Sequence, residues 1–311
     1  PNCSSAASDV YKRQTLKTIE LLNEFDRDNK NFFLTVGFQK PHLPFTPPKK
    51  YWDLYQRDDI KLAEFQSKSI GSPQEAYHRS GELRNYHDTE PSMDENGIVS
   101  EAKQRELIHG YMASVSFIDA QVGMILDHLE STGMDENTVV VFFGDHGWHL
   151  GDHGLWNKHS NFEEATRTPL IFKSPDIDGG FVNDSPVELL DIFPTVCTLA
   201  GIPKPDDLDG ISLVPILKKK SEYLRDFAIS QYPRRCNVMR SVIGRYPDDC
   251  TLMGYAVRNE KYRYIAWISG DFEDRSDFNN DEIVMEELYD YEIDPLETKS
   301  YASDASYQKV K

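Results

Sequence analysis

The sequence predicts an α/β protein with a smaller antiparallel part at its carboxyl end, and three observations carry that expectation. Amphipathic helical stretches alternate with short apolar runs from Thr15 to about Leu217. The run Val139-Val140-Val141-Phe142-Phe143, β-branched and aromatic, opens directly into a glycine-rich loop, the pattern of a strand covered on both faces with a sharp turn at its end. Beyond Lys218-Lys219-Lys220 the period changes, and strand-like segments succeed one another with no helical stretch between them.

Taken in order, residues 1–14 show neither an apolar signal core nor a period continuous with the helical pattern that begins at Thr15, and Ser4-Ser5-Ala6-Ala7-Ser8 reads as a non-native leader of translated adaptor sequence outside the fold. From Thr15, Leu16, Ile19, Leu22 and Phe25 mark one helical face, and Phe32 to Val36 reads as a buried strand ended by Gly37. In Lys40-Pro41-His42-Leu43-Pro44 two prolines bracket His42 and fix the local backbone, either aiming the imidazole at a site or only shaping a turn. Residues 46–100, polar and rich in Pro, Gly, Ser and His, read as an insertion loop with His78 and His87 on its surface.

From Ser100 to Gly133 a long helix is expected, with Leu107, Ile108, Val115, Ile118, Leu126 and Leu129 in its apolar stripe, Ser100 capping its start and Gly133 its end. Pro169 to Lys173 forms another strand. Val187 to Ala200 forms a helix stopped by Gly201, with Cys197 buried and Glu188 and Asp191 solvated. The strands of the second part are Phe227–Gln231, Leu252–Arg258, Tyr262–Trp267 and Glu287–Tyr291, with a hairpin at Asn259-Glu260. The expected domains are therefore 15–217 and 223–311.

Composition narrows the function classes. A formal charge of −18 over 311 residues argues against nucleic acid as a partner, because phosphate-backbone recognition needs a basic footprint. The longest apolar runs, about five residues, fall far short of the roughly 20 that span a bilayer. Cys3, Cys197, Cys236 and Cys250 have no metal-ligand spacing, and Cys236 and Cys250 are equally compatible with a disulfide and with two thiols.

The chemistry concentrates after the central strand. Asp145, His146, His149, Asp152, His153 and Lys158 fall within 14 residues, among four glycines and two tryptophans. Singly, each is as much at home in a turn. Together, Asp145 and His146 offer a hard oxygen and an imidazole to a divalent cation at a strand's carboxyl end, and Lys158 offers a point charge to an anionic oxygen. Arg234, Arg235 and Arg258 suit a carboxylate, whether a substrate's or a structural partner's.

Gly144-Asp145-His146-Gly147 after a strand, then Leu150-Gly151-Asp152-His153-Gly154, Trp156, Lys158 and Thr168-Pro169-Leu170-Ile171-Phe172, resembles the second half of the type I sulfatase domain of the alkaline phosphatase-like superfamily. Leu190 to Thr195, Leu199 to Pro203, Gly210 to Leu213, Tyr232-Pro233-Arg234-Arg235 and Met253 to Arg258 extend the likeness over roughly residues 15–300, nearest to iduronate-2-sulfatases and their bacterial relatives. The resemblance implies a mixed, mostly parallel sheet between helices plus a small antiparallel α+β subdomain. It further implies hydrolysis of a sulfate ester on a sulfated sugar or uronic acid by an exported enzyme, using a formylglycine nucleophile and Ca²⁺, with Mg²⁺ less favoured.

By the same resemblance Asp145 and His146 are cation ligands, although other type I sulfatases often carry Asn at the latter position. His42 and Lys158 are catalytic, and Lys40, Trp148, His153 and Arg258 bind the sulfated carbohydrate. The sequence departs from the family in having no Cys-x-Pro-x-Arg or Ser-x-Pro-x-Arg nucleophile segment and no upstream Asp-Asp cation ligands. These residues are thus expected to be the carboxyl-terminal part of the enzyme and inactive alone. A phosphohydrolase or phosphonate hydrolase of the same superfamily, and a non-catalytic sulfated-glycan binder, are the rival readings.

Overall fold

The computed structural model describes residues 3–89, 98–235, 251–269 and 283–311, so Cys236 and Cys250 lie outside the described residues. The chain forms two compact units, one of Pro1–Ala63 with Glu82–Val139 and one of Glu64–Gly81 with Val140–Lys311.

The first unit is helical: α1 (Cys3–Arg27), α2 (Lys49–Trp52), α3 (Gly81–Arg84, at the junction) and α4 (Glu101–Thr132). Helix α1 runs back through residues 3–14 without a break, and no Gly or Pro interrupts them. Buried Thr15 donates to Gln121 Oε1 at 3.1 Å and ties α1 to α4. Leu107, Ile108, Phe117, Ile118 and Leu129 of α4 are buried, whereas Val115 and Leu126 of the expected stripe are exposed. Gly110 is required by close approach, since a Cβ there would stand 2.7 Å from Phe45 Cβ. Gly133 ends α4 at φ 75° with its N–H on Glu130 O. Ser100 makes no side-chain cap, and its carbonyl instead accepts the first helical bond from Gln104.

Residues 30–39 join no ladder, so the expected buried strand Phe32–Val36 is absent. A strand is buried by its neighbours, and without one Phe33 is 83 % exposed.

The second unit contains β1 (Val140–Phe143), β2 (His149–Leu150), β3 (Trp156–Asn157), α5 (Glu163–Thr166), β4 (Leu170–Lys173), α6 (Ile192–Leu199), α7 (Val214–Leu217) and β5 to β8 (Ala228–Arg235, Thr251–Arg258, Tyr262–Ser269, Ile283–Asp290). Strand β1 pairs antiparallel with β4, Val140 opposite Lys173 and Phe143 opposite Leu170. Among the described residues β1 has no parallel neighbour, and its expected burial on both faces fails with it: Phe143 is 48 % and Ile171 58 % exposed. The β5-β6-β7-β8 meander matches the expected antiparallel part. Its inner face buries Leu252, Ala256, Ile265, Trp267 and Tyr289 against Ala76, Tyr77, Leu155 and Phe162. Gly254 lets β6 approach, since a Cβ would lie 2.9 Å from Trp267 Cζ3 and 2.5 Å from Asn161 Nδ2.

Around α6, Cys197 is buried as expected. Glu188 and Asp191 are not solvated: they form a reciprocal capping box, Asp191 Oδ1 accepts from Ile211 N at 2.8 Å, and Arg225 pairs with both carboxylates. A helix entry packed inside the unit needs such acceptors for its orphan N–H groups. His78, expected on the surface, is half-buried, with its Nδ1 accepting from Ser80 N, while His87 is exposed as expected.

The open flank of the β1–β4 pair is an apolar edge of the kind that templates self-association. Ile171→Lys is expected to raise the soluble fraction of residues 1–311 severalfold with little change in Tm, measured by light scattering and thermal unfolding. Unchanged scattering would place the associating surface elsewhere.

Candidate functional site

The turn after β1 is shaped by close backbone packing. Gly144 N–H donates to Pro169 O at 3.1 Å and Gly147 N–H to Ala165 O at 2.8 Å. A Cβ on Gly144 would fall 2.2 Å from Thr168 Oγ1, and one on Gly147 2.0 Å from Glu164 O and 2.6 Å from Arg167 O. Segment 164–169 therefore clamps the two glycines, and the residues between them, Asp145 and His146, are turned outward.

His146 Nδ1 lies 2.8 Å from Gly147 O, and a carbonyl only accepts, so Nδ1 carries the proton and Nε2 keeps its lone pair. That Nε2 lies 3.6 Å from Asp145 Oδ1. Two ligands about 2.3 Å from one cation at right angles stand roughly 3.3 Å apart, so the pair has the spacing and the donor chemistry for neighbouring positions in one coordination shell. His146 stacks on Trp148 at 6.1 Å between centroids, and Lys158 Nζ lies 5.0 Å over the same indole. The structure thus links Asp145, His146, Trp148 and Lys158 in one continuous series of contacts.

In the first unit, buried Lys40 donates to the carbonyls of His42 (3.2 Å) and Pro44, and burial pushes its amine down to about 8. The lysine braces the proline-bracketed turn from inside. His42 Nδ1 lies 2.9 Å from Leu43 O, which fixes the proton there and leaves Nε2 3.6 Å from Glu82 Oε2.

In the second unit, His153 and Arg258, expected at the substrate, are committed to protein groups. His153 is buried, stacked on Phe162 at 4.1 Å, with Nε2 3.8 Å from Glu164 Oε2 and 3.9 Å from Glu297 Oε2. Burial pushes the imidazole down to about 4; burial, with Glu297 adding to it, pushes Glu164 up to about 8. Arg258 donates to both oxygens of Glu163 (3.1 and 3.4 Å) and lies 3.8 Å over the Tyr291 ring. Burial acts to raise the Glu163 carboxyl, and Arg263 and Arg258 outweigh it and hold the group below its usual range. Arg234 likewise turns inward, donating to Glu75 O at 2.8 Å. The sequence gives no hint of Glu164, Glu287 and Glu297 as buried acids, since residues far apart in the chain create their surroundings; only the paired Glu163-Glu164 next to the glycine-rich loop was a usable signal.

A turn that carries a carboxylate and an imidazole, with an ammonium linked to it through Trp148, thus stands at the end of a strand in a unit that also holds a four-stranded antiparallel sheet. A family model described as "Sulfatase" matches residues 4–202, and one described as "N-sulphoglucosamine sulphohydrolase, C-terminal" matches residues 151–311. The chain belongs to the sulfatase family. It is 31 % identical to the iduronate 2-sulfatase of Mus musculus over 95 % of its own length and 62 % of that relative's, so it spans less than two-thirds of the relative. Its fold is similar to a solved structure in complex with its substrate D-glucosamine-2-N,6-O-disulfate (TM-score 0.70, 20 % identity, 98 % of this chain and 67 % of that one). It is also similar to the phosphonate monoester hydrolase of Agrobacterium radiobacter (TM-score 0.69, 24 % identity, 95 % and 57 %).

Glu287 supplies a pH test of the sheet behind the site. It is wholly buried, accepts from Trp267 Nε1 at 2.8 Å and Tyr289 OH at 2.5 Å, and is pushed by burial up to about 7 from 4.5. A carboxyl raised on folding contributes stability that is fully present below its ordinary value and is lost as pH rises through 7. Glu287→Gln should remove that dependence, on the order of 3 kcal/mol across the window, read from urea midpoints between pH 4.5 and 7. Parallel pH profiles for the two proteins would refute the assignment.

Proposed function

We propose that these residues take part in hydrolysing a sulfate ester on a sulfated sugar or uronic acid, of the kind named for the iduronate 2-sulfatase relative. The observation that carries the reading is the outward-turned Asp145-His146 pair joined through Trp148 to Lys158 in a member of the sulfatase family. Asp145 Oδ1 and His146 Nε2 fit a Ca²⁺ ion, with Mg²⁺ less suited because its shell demands near-ideal octahedral geometry. Bound there, the cation supplies positive charge against sulfate oxygens.

The chain's own groups do the rest of what these residues contribute. Gly147 O fixes the His146 tautomer so that Nε2 is always available. Lys158, oriented over the Trp148 face, neutralises charge that builds on a sulfate oxygen. His42, with Nδ1 held by Leu43 O, holds or moves a proton at Nε2 for the sulfate or the leaving oxygen. In a chain of net charge −18, this local positive charge must overcome a long-range repulsion of a polyanionic substrate. The protein is exported in this reading.

The sequence holds no Cys-x-Pro-x-Arg or Ser-x-Pro-x-Arg segment, and Asp145 and His146 are two ligands for an ion that takes six to eight. Residues 1–311 by themselves are therefore expected to turn over neither aryl sulfate nor sulfated uronate, and turnover would place the nucleophile among them. In an enzyme that also carries the nucleophile segment, Asp145→Ala should lose Ca²⁺ and activity together, monitored by metal analysis and sulfate release. In the same enzyme Lys158→Ala should lower turnover by roughly 10²-fold. Near-normal turnover in the lysine variant would make it a surface residue, and hydrolysis of phosphonate monoesters in place of sulfates would favour the phosphohydrolase reading.

A further inference from the structure

A second group of ligand atoms lies inside the second unit, apart from the Asp145-His146 turn. His153 Nε2 and carboxylate oxygens of Glu164 and Glu297 all lie within 4.8 Å of one another. The hydrogen bonds around them fix what each atom offers. Ser69 Oγ spends its one hydrogen on Glu297 O at 2.5 Å, so at 3.3 Å from His153 Nδ1 it accepts, and Nδ1 carries the imidazole proton. His153 Nε2 is left with a lone pair aimed at Glu164 Oε2 and Glu297 Oε2, 3.8 and 3.9 Å away, beyond hydrogen-bond reach. Glu164 Oε2 is buried with no hydrogen-bond partner. Glu297 has its other oxygen taken by Tyr291 OH and Arg263 Nε, and its Oε2 accepts from Glu163 N–H at 3.1 Å, which leaves that oxygen one further lone pair.

Arg258 and Arg263 face Glu163 and Glu297, whereas Glu164 has no described ion pair to a lysine or arginine beside the imidazole. A divalent ion that displaces the Glu164 proton would bond all three groups at once. One imidazole and two carboxylates, with the imidazole's second nitrogen held by a hydroxyl, form the donor set and outer shell of a borderline first-row cation. Glu164, a quarter exposed at its side chain, is the way in from solvent.

We propose that His153, Glu164 and Glu297 bind a Zn²⁺-like divalent ion that braces this unit, independent of the cation at Asp145 and His146. Ligand bonds of about 2.0–2.2 Å in a tetrahedral shell set ligands roughly 3.4 Å apart, so the gaps of 3.8 and 3.9 Å from His153 close by about half an ångström and the carboxylates, within 4.8 Å of one another, by about 1.4 Å at most. The competing occupant is one proton shared by the carboxylates.

The test uses residues 1–311 carrying Asp145→Ala and His146→Ala, which removes the first site, stripped with a chelator and titrated with Zn²⁺ alone. One equivalent should bind by calorimetry, with Tm raised by several degrees. Adding Glu164→Gln, which keeps the shape and hydrogen-bonding of a protonated carboxyl, should weaken binding by at least roughly 100-fold while the metal-free Tm stays close to its parent. Absence of stoichiometric Zn²⁺, or Zn²⁺ bound equally by the Glu164→Gln and His153→Gln variants, overturns the site and leaves the shared proton as its occupant.

Discussion

The carboxylate of Glu163, held between Arg258 and Arg263, joins the site turn to the four-stranded sheet. Its own N–H donates to Glu297 Oε2, and Arg263 reaches past it to Asn161 O and Tyr291 OH, so one short helix is fixed from three directions. The next residues, Ala165 to Pro169, carry the carbonyls that receive the Gly144 and Gly147 N–H groups. Removing Arg263 would take the cation from buried Glu297 and leave Glu163 to Arg258 alone, loosening the segment against which the turn is formed. The outward posture of Asp145 and His146 thus depends on an ion pair contributed by β6 and β7, more than a hundred residues further along.

How much of this was legible in the sequence depends on the range of the forces involved. Local signals succeeded: the Gly133 cap, the strand at Leu170 to Lys173, the four strands of the carboxyl-terminal sheet and the burial of Cys197 depend on nearby residues and period. The sulfatase motif also singles out Asp145, His146, Trp148 and Lys158, and the structure brings them into one series of contacts around the turn and the short pair β2–β3. What failed was long-range. Phe32 to Val36 has the composition of a strand, but a ladder also needs a partner, and the exposure of β1 has the same cause. His153 and Arg258 sit within family motifs, yet burial beside Phe162 and pairing with Glu163 decide what their polar atoms can reach. Glu188 and Asp191 look like a solvated helix face until Arg225 and Ile211 are brought to them.

The histidines of this chain illustrate one device with two outcomes. In His42, His146 and His153 a nearby oxygen holds Nδ1 and leaves Nε2 facing a carboxylate. In His42 and His146 that oxygen is the carbonyl of the next residue, a local arrangement that a turn supplies by itself. In His153 it is a serine hydroxyl from elsewhere in the unit. Tautomer choice is therefore built into the backbone at the turn and into tertiary packing at the buried cluster, and the second is the more easily lost when packing is disturbed.

The glycines differ in a way that bears on how this sequence can change over time. Gly254 is confined by side chains, the Trp267 ring and the Asn161 amide, so a larger residue there has a route to rescue through a smaller partner. Gly147 is confined by the carbonyl oxygens of Glu164 and Arg167, atoms that every amino acid carries. No second substitution in the facing segment can make room. Position 147 has no compensatory neighbour, so its identity stays fixed while the segment around it is free to drift, whereas positions 254 and 267 can exchange volume as a pair.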